Sequence, residues 1–247
     1  MRDLSGKTAV VVGASRGLGR GVASAFASAG ASVVALARSE AALAELAAGS
    51  ANIRSEVADA TDPSVAWSVI DQYEPEILIL VAGANPVTRA LQYQTWETFS
   101  VNWQTDVKIA FNWLRETLLK PLKPGSRVVV VSSGAALRGS PVSGGYAGAK
   151  ATERFIAGYA AEESQRARLG ITVTAVMPAM TTWGDVGKRG ARAYAARSGQ
   201  AEQTFVKEMG PLLTPEIAGS SLVDLVQADP ASIAPGYLLT AAGLAKV

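Results

Sequence analysis

Tyr146 and Lys150 are the residues whose types and spacing most directly suggest chemistry. They stand four positions apart in an alanine-rich stretch, so a helix there places the phenol and the ammonium on one face. A phenol with a pKa of about 10 is a poor base at neutral pH, but an adjacent cation favours the phenolate and lowers that pKa. The pair therefore predicts a group that exchanges a proton with a carbonyl or alcohol oxygen.

The chain contains no histidine and no cysteine, which removes most other catalytic chemistries. Disulfides, thiolate nucleophiles, Ser-His-Asp triads and the His/Cys ligand sets of zinc enzymes are all excluded, and we expect no metal site. Acid/base chemistry near neutral pH must then use carboxylates, lysine or tyrosine.

A glycine-rich turn links the first predicted strand to the first predicted helix. Residues 13–19 read GASRGLG. Such a turn lets backbone N–H groups and a helix N-terminus approach a pyrophosphate, so the sequence predicts a dinucleotide site. The alternative is that the glycines only allow close packing of helix on strand. The candidate contacts in this turn are Gly13, Ser15, Arg16, Gly17, Leu18 and Gly19.

The end of the second predicted strand discriminates between the two nicotinamide cofactors. An NAD site normally has an Asp or Glu there for the ribose hydroxyls. This chain instead has Arg38 followed by Ser39. An arginine accepts a 2′-phosphate that a carboxylate would repel, so NADP(H) is favoured over NAD(H). The alternative is an exposed arginine that only solvates the strand end.

Apolar, β-branched runs alternate with alanine-rich segments of helical spacing along the chain. This alternation predicts an α/β fold in which a seven-stranded parallel sheet is covered by helices on both faces. The predicted strands are residues 8–12, 32–37, 52–57, 77–81, 127–131, 171–176 and 236–240. The predicted helices are residues 17–29, 40–48, 63–72, 95–120, 147–168 and 215–227.

Residues 180–213 interrupt that alternation with a long, weakly periodic segment rich in Gly, Ala and Arg. A long excursion after a strand end is often a lid over a site, and the alternative is a mobile surface loop. The segment contains residues suited to an anionic or aromatic substrate, although a solvated charged face explains them as well. These residues are Trp183, Lys188, Arg189, Arg192, Tyr194 and Arg197.

The composition is that of an ordinary globular protein of 247 residues. It is 49% hydrophobic and 18% charged, and its net charge of +2 comes without a dense basic run, so we expect no nucleic-acid partner. Its longest apolar stretch, residues 77–84, is too short to span a bilayer, and residues 1–12 lack a leader pattern. We expect one domain over residues 1–247, in the cytoplasm, without membrane association.

The arrangement of these motifs resembles the classical branch of the short-chain dehydrogenase/reductase family. Ser133 ends the fifth predicted strand thirteen residues before Tyr146, as the family's catalytic Ser precedes its Tyr-x-x-x-Lys. The resemblance extends over essentially the whole chain. It implies a doubly wound Rossmann fold and an NADP(H)-dependent enzyme that interconverts a carbonyl and an alcohol by hydride transfer.

The resemblance also implies roles for individual residues. Tyr146 would be the general acid/base, Lys150 would lower its pKa and hold the nicotinamide ribose, and Ser133 would hydrogen-bond the substrate oxygen. Asn102 matches the catalytic Asn that anchors a water in a proton relay, and Asp59, followed by Ala60, matches the adenine contact after the third strand. Taken singly, Asn102, Ser133 and Asp59 could instead be a satisfied helix residue, a strand terminus and a turn cap.

The chain departs from the family pattern at two strand ends. The family's Asn-Asn-Ala-Gly is replaced by LVAG at residues 80–83, which retains Ala82 and Gly83 for close backbone approach. The family's Pro-Gly is replaced by Pro178 and an alanine, and the Thr that contacts the carboxamide is either Thr181 or Thr182. These changes affect the cofactor contacts rather than the catalytic group.

Family members commonly pair through the helices that carry Asn102 and Tyr146, so we expect a homodimer or homotetramer. The NADP(H) preference favours carbonyl reduction as the direction, while the substrate itself is not specified by the sequence. The alternative function is a catalytically idle nucleotide-sensing or scaffold protein that retains the fold. Loss of Ser133, Tyr146 or Lys150 would be its signature, and all three are present.

Overall fold

The structure is a computed structural model that describes residues 3–247, and these form one twisted sheet of eight strands with helices on both faces. The α/β doubly wound fold predicted from the sequence is confirmed. The strands are β1 (Thr8–Val12), β2 (Ser32–Ala37), β3 (Ile53–Val57), β4 (Ile77–Leu80), β5 (Arg127–Val131), β6 (Thr172–Pro178), β7 (Gly236–Thr240) and β8 (Gly243–Lys246).

The strand order is β3-β2-β1-β4-β5-β6-β7-β8, and β1 to β7 are all parallel. The chain first builds outward from β1 to β3 and then returns to place β4 on the other side of β1. The carboxyl ends of β1 and β4 therefore flank the topological switch point, where ligands bind in open α/β sheets.

The predicted count of seven strands is short by one. Strand β8 folds back antiparallel to β7, with Thr240 opposite Gly243. Gly243 has a φ of 97°, which suits glycine at this tight reversal. Because β8 has only four residues and begins directly after the turn, no periodicity separates it from the end of β7.

The helices cover the sheet in two layers, and successive residues of each strand point into opposite layers. In β1, Val11 packs beneath α1 and α10, and Val10 packs beneath α3, α5 and α7. The helices are α1 (Gly17–Ser28), α2 (Glu40–Ala48), α3 (Pro63–Tyr73), α4 (Trp96–Phe99), α5 (Lys108–Leu119), α6 (Ala135–Arg138), α7 (Gly144–Arg166), α8 (Asp185–Ser198), α9 (Glu202–Glu208) and α10 (Pro215–Gln227).

Two predicted segments differ from the observed structure. The helix predicted over residues 95–120 is divided into α4, a π-helical turn (Trp103–Val107) and α5. The buried polar side chains of Asn102 and Asp106 lie at this turn, and π turns of this kind are frequent at functional sites. Residues 180–213 are not an irregular excursion, because they contain α8 and α9.

Within residues 3–247, no helix combines the length and the apolar character needed to cross a membrane.

Candidate active site

A cleft of about 1150 Å³ opens at the carboxyl ends of the central strands, at the switch point. Its walls bring together nearly every residue that the sequence singled out. The predicted residues that line it are Gly13, Ser15, Arg16, Gly17, Leu18, Gly19, Arg38, Ser39, Asp59, Ala60, Ala82, Gly83, Ser133, Tyr146, Lys150, Pro178 and Thr181. Asn102 is buried and does not line the cleft.

The glycine turn contains two glycines fixed by close packing and one, Gly17, at which a Cβ would make only ordinary contacts. A Cβ on Gly13 would lie 2.6 Å from the Ala82 nitrogen, and one on Gly19 would lie 2.2 Å from the Gly13 oxygen. Close packing therefore accounts for both. At Gly17, φ is 55° and the nearest atoms to a Cβ are 3.8 Å away. Helix α1 begins there, and within the described chain no side chain caps its N-terminus, which leaves room and positive potential for a phosphate.

Cationic and polar side chains gather at the end of the cleft beside β2 and β3. Asp59 accepts hydrogen bonds from the Thr61 N–H (2.9 Å) and hydroxyl (2.8 Å), and these bonds, helped by the charge of Arg38, lower the pKa of Asp59. Arg16 forms a 2.5 Å ion pair with Asp185 at the start of α8. The glycine turn is thus joined directly to the 180–213 segment.

Tyr146 and Lys150 lie on one face of α7, with the Lys150 ammonium 5.7 Å from the centre of the Tyr146 ring. Lys150 lowers the pKa of the phenol, as the spacing predicts, but the net shift of that pKa is upward because other effects oppose it. Burial has the largest effect and raises the pKa of Tyr146, whereas Lys150 and a hydrogen bond with Ser133 lower it. Asp106 and Glu153 raise it further, so Tyr146 is protonated at neutral pH.

Two buried carboxylates that sequence reasoning missed surround the Lys150 ammonium. Its Nζ lies 3.2 Å from Asp106 Oδ2, 3.1 Å from Glu153 Oε1 and 3.0 Å from Glu153 Oε2. The three residues are only 1–4% exposed. Burial alone lowers the pKa of Lys150, but Glu153 and Asp106 outweigh it and raise that pKa above its usual range. The ammonium therefore keeps its charge at neutral pH.

Asn102 supports this cluster from behind. It is 2% exposed, and its Nδ2 donates to the Ala84 carbonyl at 2.9 Å and to Asp106 Oδ2 at 3.2 Å. Asp106 also accepts from the Ala84 N–H at 2.7 Å. Asn102 is thus connected to Lys150 through a carboxylate. The signal in the sequence was an acid four residues after Asn102 and another three residues after Lys150, spacings that bring side chains together on a helix.

Part of the 180–213 segment lines the cleft. The Tyr194 hydroxyl shares a 2.7 Å hydrogen bond with Ser140, and the Tyr194 ring stacks on Phe205 at a centroid distance of 6.1 Å. Both aromatic residues line the cleft, as does Thr181 but not Thr182. Trp183 and the predicted cations of this segment, Lys188, Arg189, Arg192 and Arg197, are exposed and lie off the lining, which favours the solvated-face alternative.

Known proteins share both the sequence pattern and the fold of this chain. A sequence model of the family described as short chain dehydrogenase matches residues 7–193. A short chain dehydrogenase from Pseudocercospora fijiensis is 35% identical over 176 residues, which cover 65% of this chain and 56% of that protein. A short chain dehydrogenase/reductase from Colletotrichum higginsianum is 32% identical over 149 residues, 55% of each chain. The matched regions thus span little more than half of these relatives.

A solved structure aligns over nearly the whole chain. It is a short chain dehydrogenase from Burkholderia cenocepacia in complex with NADP, with a TM-score of 0.78 and 25% identity. The alignment covers 96% of this chain and 98% of that one. The described fold is therefore similar to that of an NADP-bound relative from end to end.

Proposed function

The chain belongs to the short-chain dehydrogenase/reductase family, and on that premise we propose that it is an NADP(H)-dependent oxidoreductase that interconverts a carbonyl and an alcohol. The observation that carries the proposal is the cleft itself. It places Ser133, Tyr146 and Lys150 in one cavity with the glycine turn and Arg38, at the switch point of the sheet. A proton donor and a nucleotide cradle therefore share one space.

The residues of the cleft fit an NADP(H) molecule. The uncapped start of α1 at Gly17 suits a pyrophosphate, and Arg38, Ser39 and Arg16 supply donors for a 2′-phosphate. Asp59 suits the adenine end, and Pro178 and Thr181 suit the nicotinamide end. When bound, the reduced cofactor supplies the hydride.

Tyr146 serves as the proton donor in carbonyl reduction. Because its pKa is raised, mainly by burial, it carries its proton at neutral pH and can release it to an oxygen that becomes an alcohol. The Ser133 hydroxyl faces the same cavity and orients that oxygen. The Lys150 ammonium stabilises the phenolate that remains, since opposite charges in a buried site attract strongly. Asn102 holds Asp106, and through it Lys150.

The non-catalytic alternative receives no support. A scaffold protein has no need of a phenol, an ammonium and a hydroxyl that face one cavity. In this chain all three line the cleft.

We expect a screen of ketones, quinones and alcohols, followed by nicotinamide absorbance, to show turnover with NADPH well above that with NADH. Arg38→Ala should raise the KM for NADPH about tenfold to hundredfold, because it removes one charge-assisted contact to a phosphate. NADH, which lacks the 2′-phosphate, is the matched control. Its KM should change by less than about threefold. Equal effects on both cofactors would contradict the role of Arg38, and the absence of any turnover would contradict the function.

We propose that the chain forms a homodimer or homotetramer through an exposed apolar face on α5 and α7. Phe111, Phe155 and Tyr159 are each more than half exposed on these adjacent helices. Exposed clusters of large apolar side chains usually mark an interface.

Light scattering coupled to gel filtration should give twice or four times the 25.5 kDa of one chain. Phe155→Glu should shift the protein toward monomer, because it places a charge in the interface. Trp67→Glu, at an exposed residue of α3, should leave the assembly intact. A monomeric wild-type protein would contradict this assembly.

A further inference from the structure

Asp106, Lys150 and Glu153 form a buried cluster with two potential negative charges and one positive charge. Asp106 comes from the π turn and Glu153 from the second turn of α7 after Tyr146. An isolated buried charge is costly, so buried ions occur in pairs. Here one pair is complete and the second carboxylate is in excess.

The position of Asp106 is fixed by its surroundings. The Ala84 N–H and Asn102 Nδ2 both donate to it. A Cβ on Gly83 would lie 2.7 Å from Asp106 Oδ2, so the carboxylate occupies the space that any other residue at position 83 would need. The two donors hold the carboxylate beside the Lys150 ammonium, at 3.2 Å. The Asp106 carboxylate therefore raises the pKa of Tyr146.

Glu153 differs from Asp106 in its partners. Both of its oxygens face the same Lys150 Nζ, and within residues 3–247 the titratable groups that act on it are Lys150, Asp106 and Tyr146. Burial raises the pKa of Glu153 to about 7, in spite of the opposing effect of Lys150. The charge of Glu153 therefore changes near neutral pH.

Resting on the proposed function, we propose that Asp106 and Glu153 are positioning residues that offset the Lys150 ammonium and keep Tyr146 protonated as the donor for carbonyl reduction. Negative charge near a phenol opposes the loss of its proton, and a cation promotes it. One carboxylate is enough to balance the charge of Lys150. With Glu153 ionised as well, the net charge beside Tyr146 is negative, and the phenol retains its proton to higher pH.

Glu153→Gln tests this role, because it removes the charge and retains the shape of the side chain. The ionisation of Tyr146 is followed by ultraviolet difference spectroscopy, with Tyr146→Phe as the reference that isolates this phenol from the other tyrosines. We expect the midpoint of Tyr146 ionisation to fall by about one pH unit, which is a tenfold increase in the acid dissociation constant of the phenol. Glu163→Gln, at an exposed carboxylate of the same helix, should leave the midpoint unchanged.

Asp106→Asn provides a second, independent variant and should lower the midpoint in the same direction. In turnover with an accepted ketone and its alcohol, the alkaline limb of reduction and the acidic limb of oxidation should both move to lower pH in either variant. Unchanged or raised midpoints in both variants would overturn the proposal. The spectroscopic titration needs no substrate. If the proposed function fails but this proposal holds, the midpoint of Tyr146 ionisation still falls in both variants although the protein shows no turnover.

Discussion

Tyr146→Phe is expected to lower kcat for carbonyl reduction by about 10²-fold to 10⁴-fold, the range that a positioned general acid contributes. The substitution removes one oxygen and leaves the ring, which packs beside Lys150. The affinity for NADPH, measured by fluorescence titration, should stay within about twofold of wild type. A fall in kcat without loss of cofactor binding identifies an interaction made during the chemical step.

Tyr93→Phe is the matched control, because it makes the same change at a surface residue that is 68% exposed and lies off the cleft. It should retain full turnover. If Tyr146→Phe also retained full turnover, or changed only KM, Tyr146 would not be the proton donor.

The fold was largely predictable because parallel strands that are buried on both faces have a distinct sequence pattern. The bounds of β1, β2, β5 and β7 agree residue for residue with the predicted runs. Strand β8 was missed because a four-residue antiparallel strand depends on pairing with β7 rather than on a pattern of its own. The π turn was missed for a related reason, since Asn102 and Asp106 are drawn inward by tertiary contacts with Ala84 and Lys150.

The candidate site was predictable where function depends on strand ends, and less so where it depends on burial. Gly13, Arg38 and Ser133 follow strands that converge at one edge, so their meeting in one cleft follows from topology. The pKa of Tyr146 depends instead on how much water the fold excludes and on which acids lie behind Lys150. Neither quantity is visible in the spacing of a tyrosine and a lysine. A single cation beside a phenol predicts a lowered pKa, whereas that cation with two carboxylates in a dry site gives a raised one.

Lys150→Met is expected to destabilise the protein by about 3–5 kcal/mol at neutral and alkaline pH, the usual cost of leaving buried charges without their partner. Lys150 is the cation that faces both Asp106 and Glu153. Without it, burial raises the pKa of the Glu153 carboxyl in the folded state further above its value in the unfolded chain. A raised folded-state pKa means that stability is present at low pH and is lost as pH rises through that pKa. Glu153, already at about 7 beside Lys150, must rise further.

The free energy of unfolding in urea is measured from pH 5 to pH 9. The amount by which Lys150→Met is less stable than wild type should therefore increase as the pH rises. The triple variant Lys150→Met, Asp106→Asn, Glu153→Gln contains no charge in the cluster, and its difference from wild type should lose most of this pH dependence. If Lys150→Met lost the same free energy of unfolding at every pH, the Lys150 side chain would contribute packing alone. A loss that grows with pH, and is removed by neutralising the carboxyls, requires that one ammonium balances two acids in the interior. Catalysis by Tyr146 then depends on the same charge balance that keeps α7 joined to the π turn.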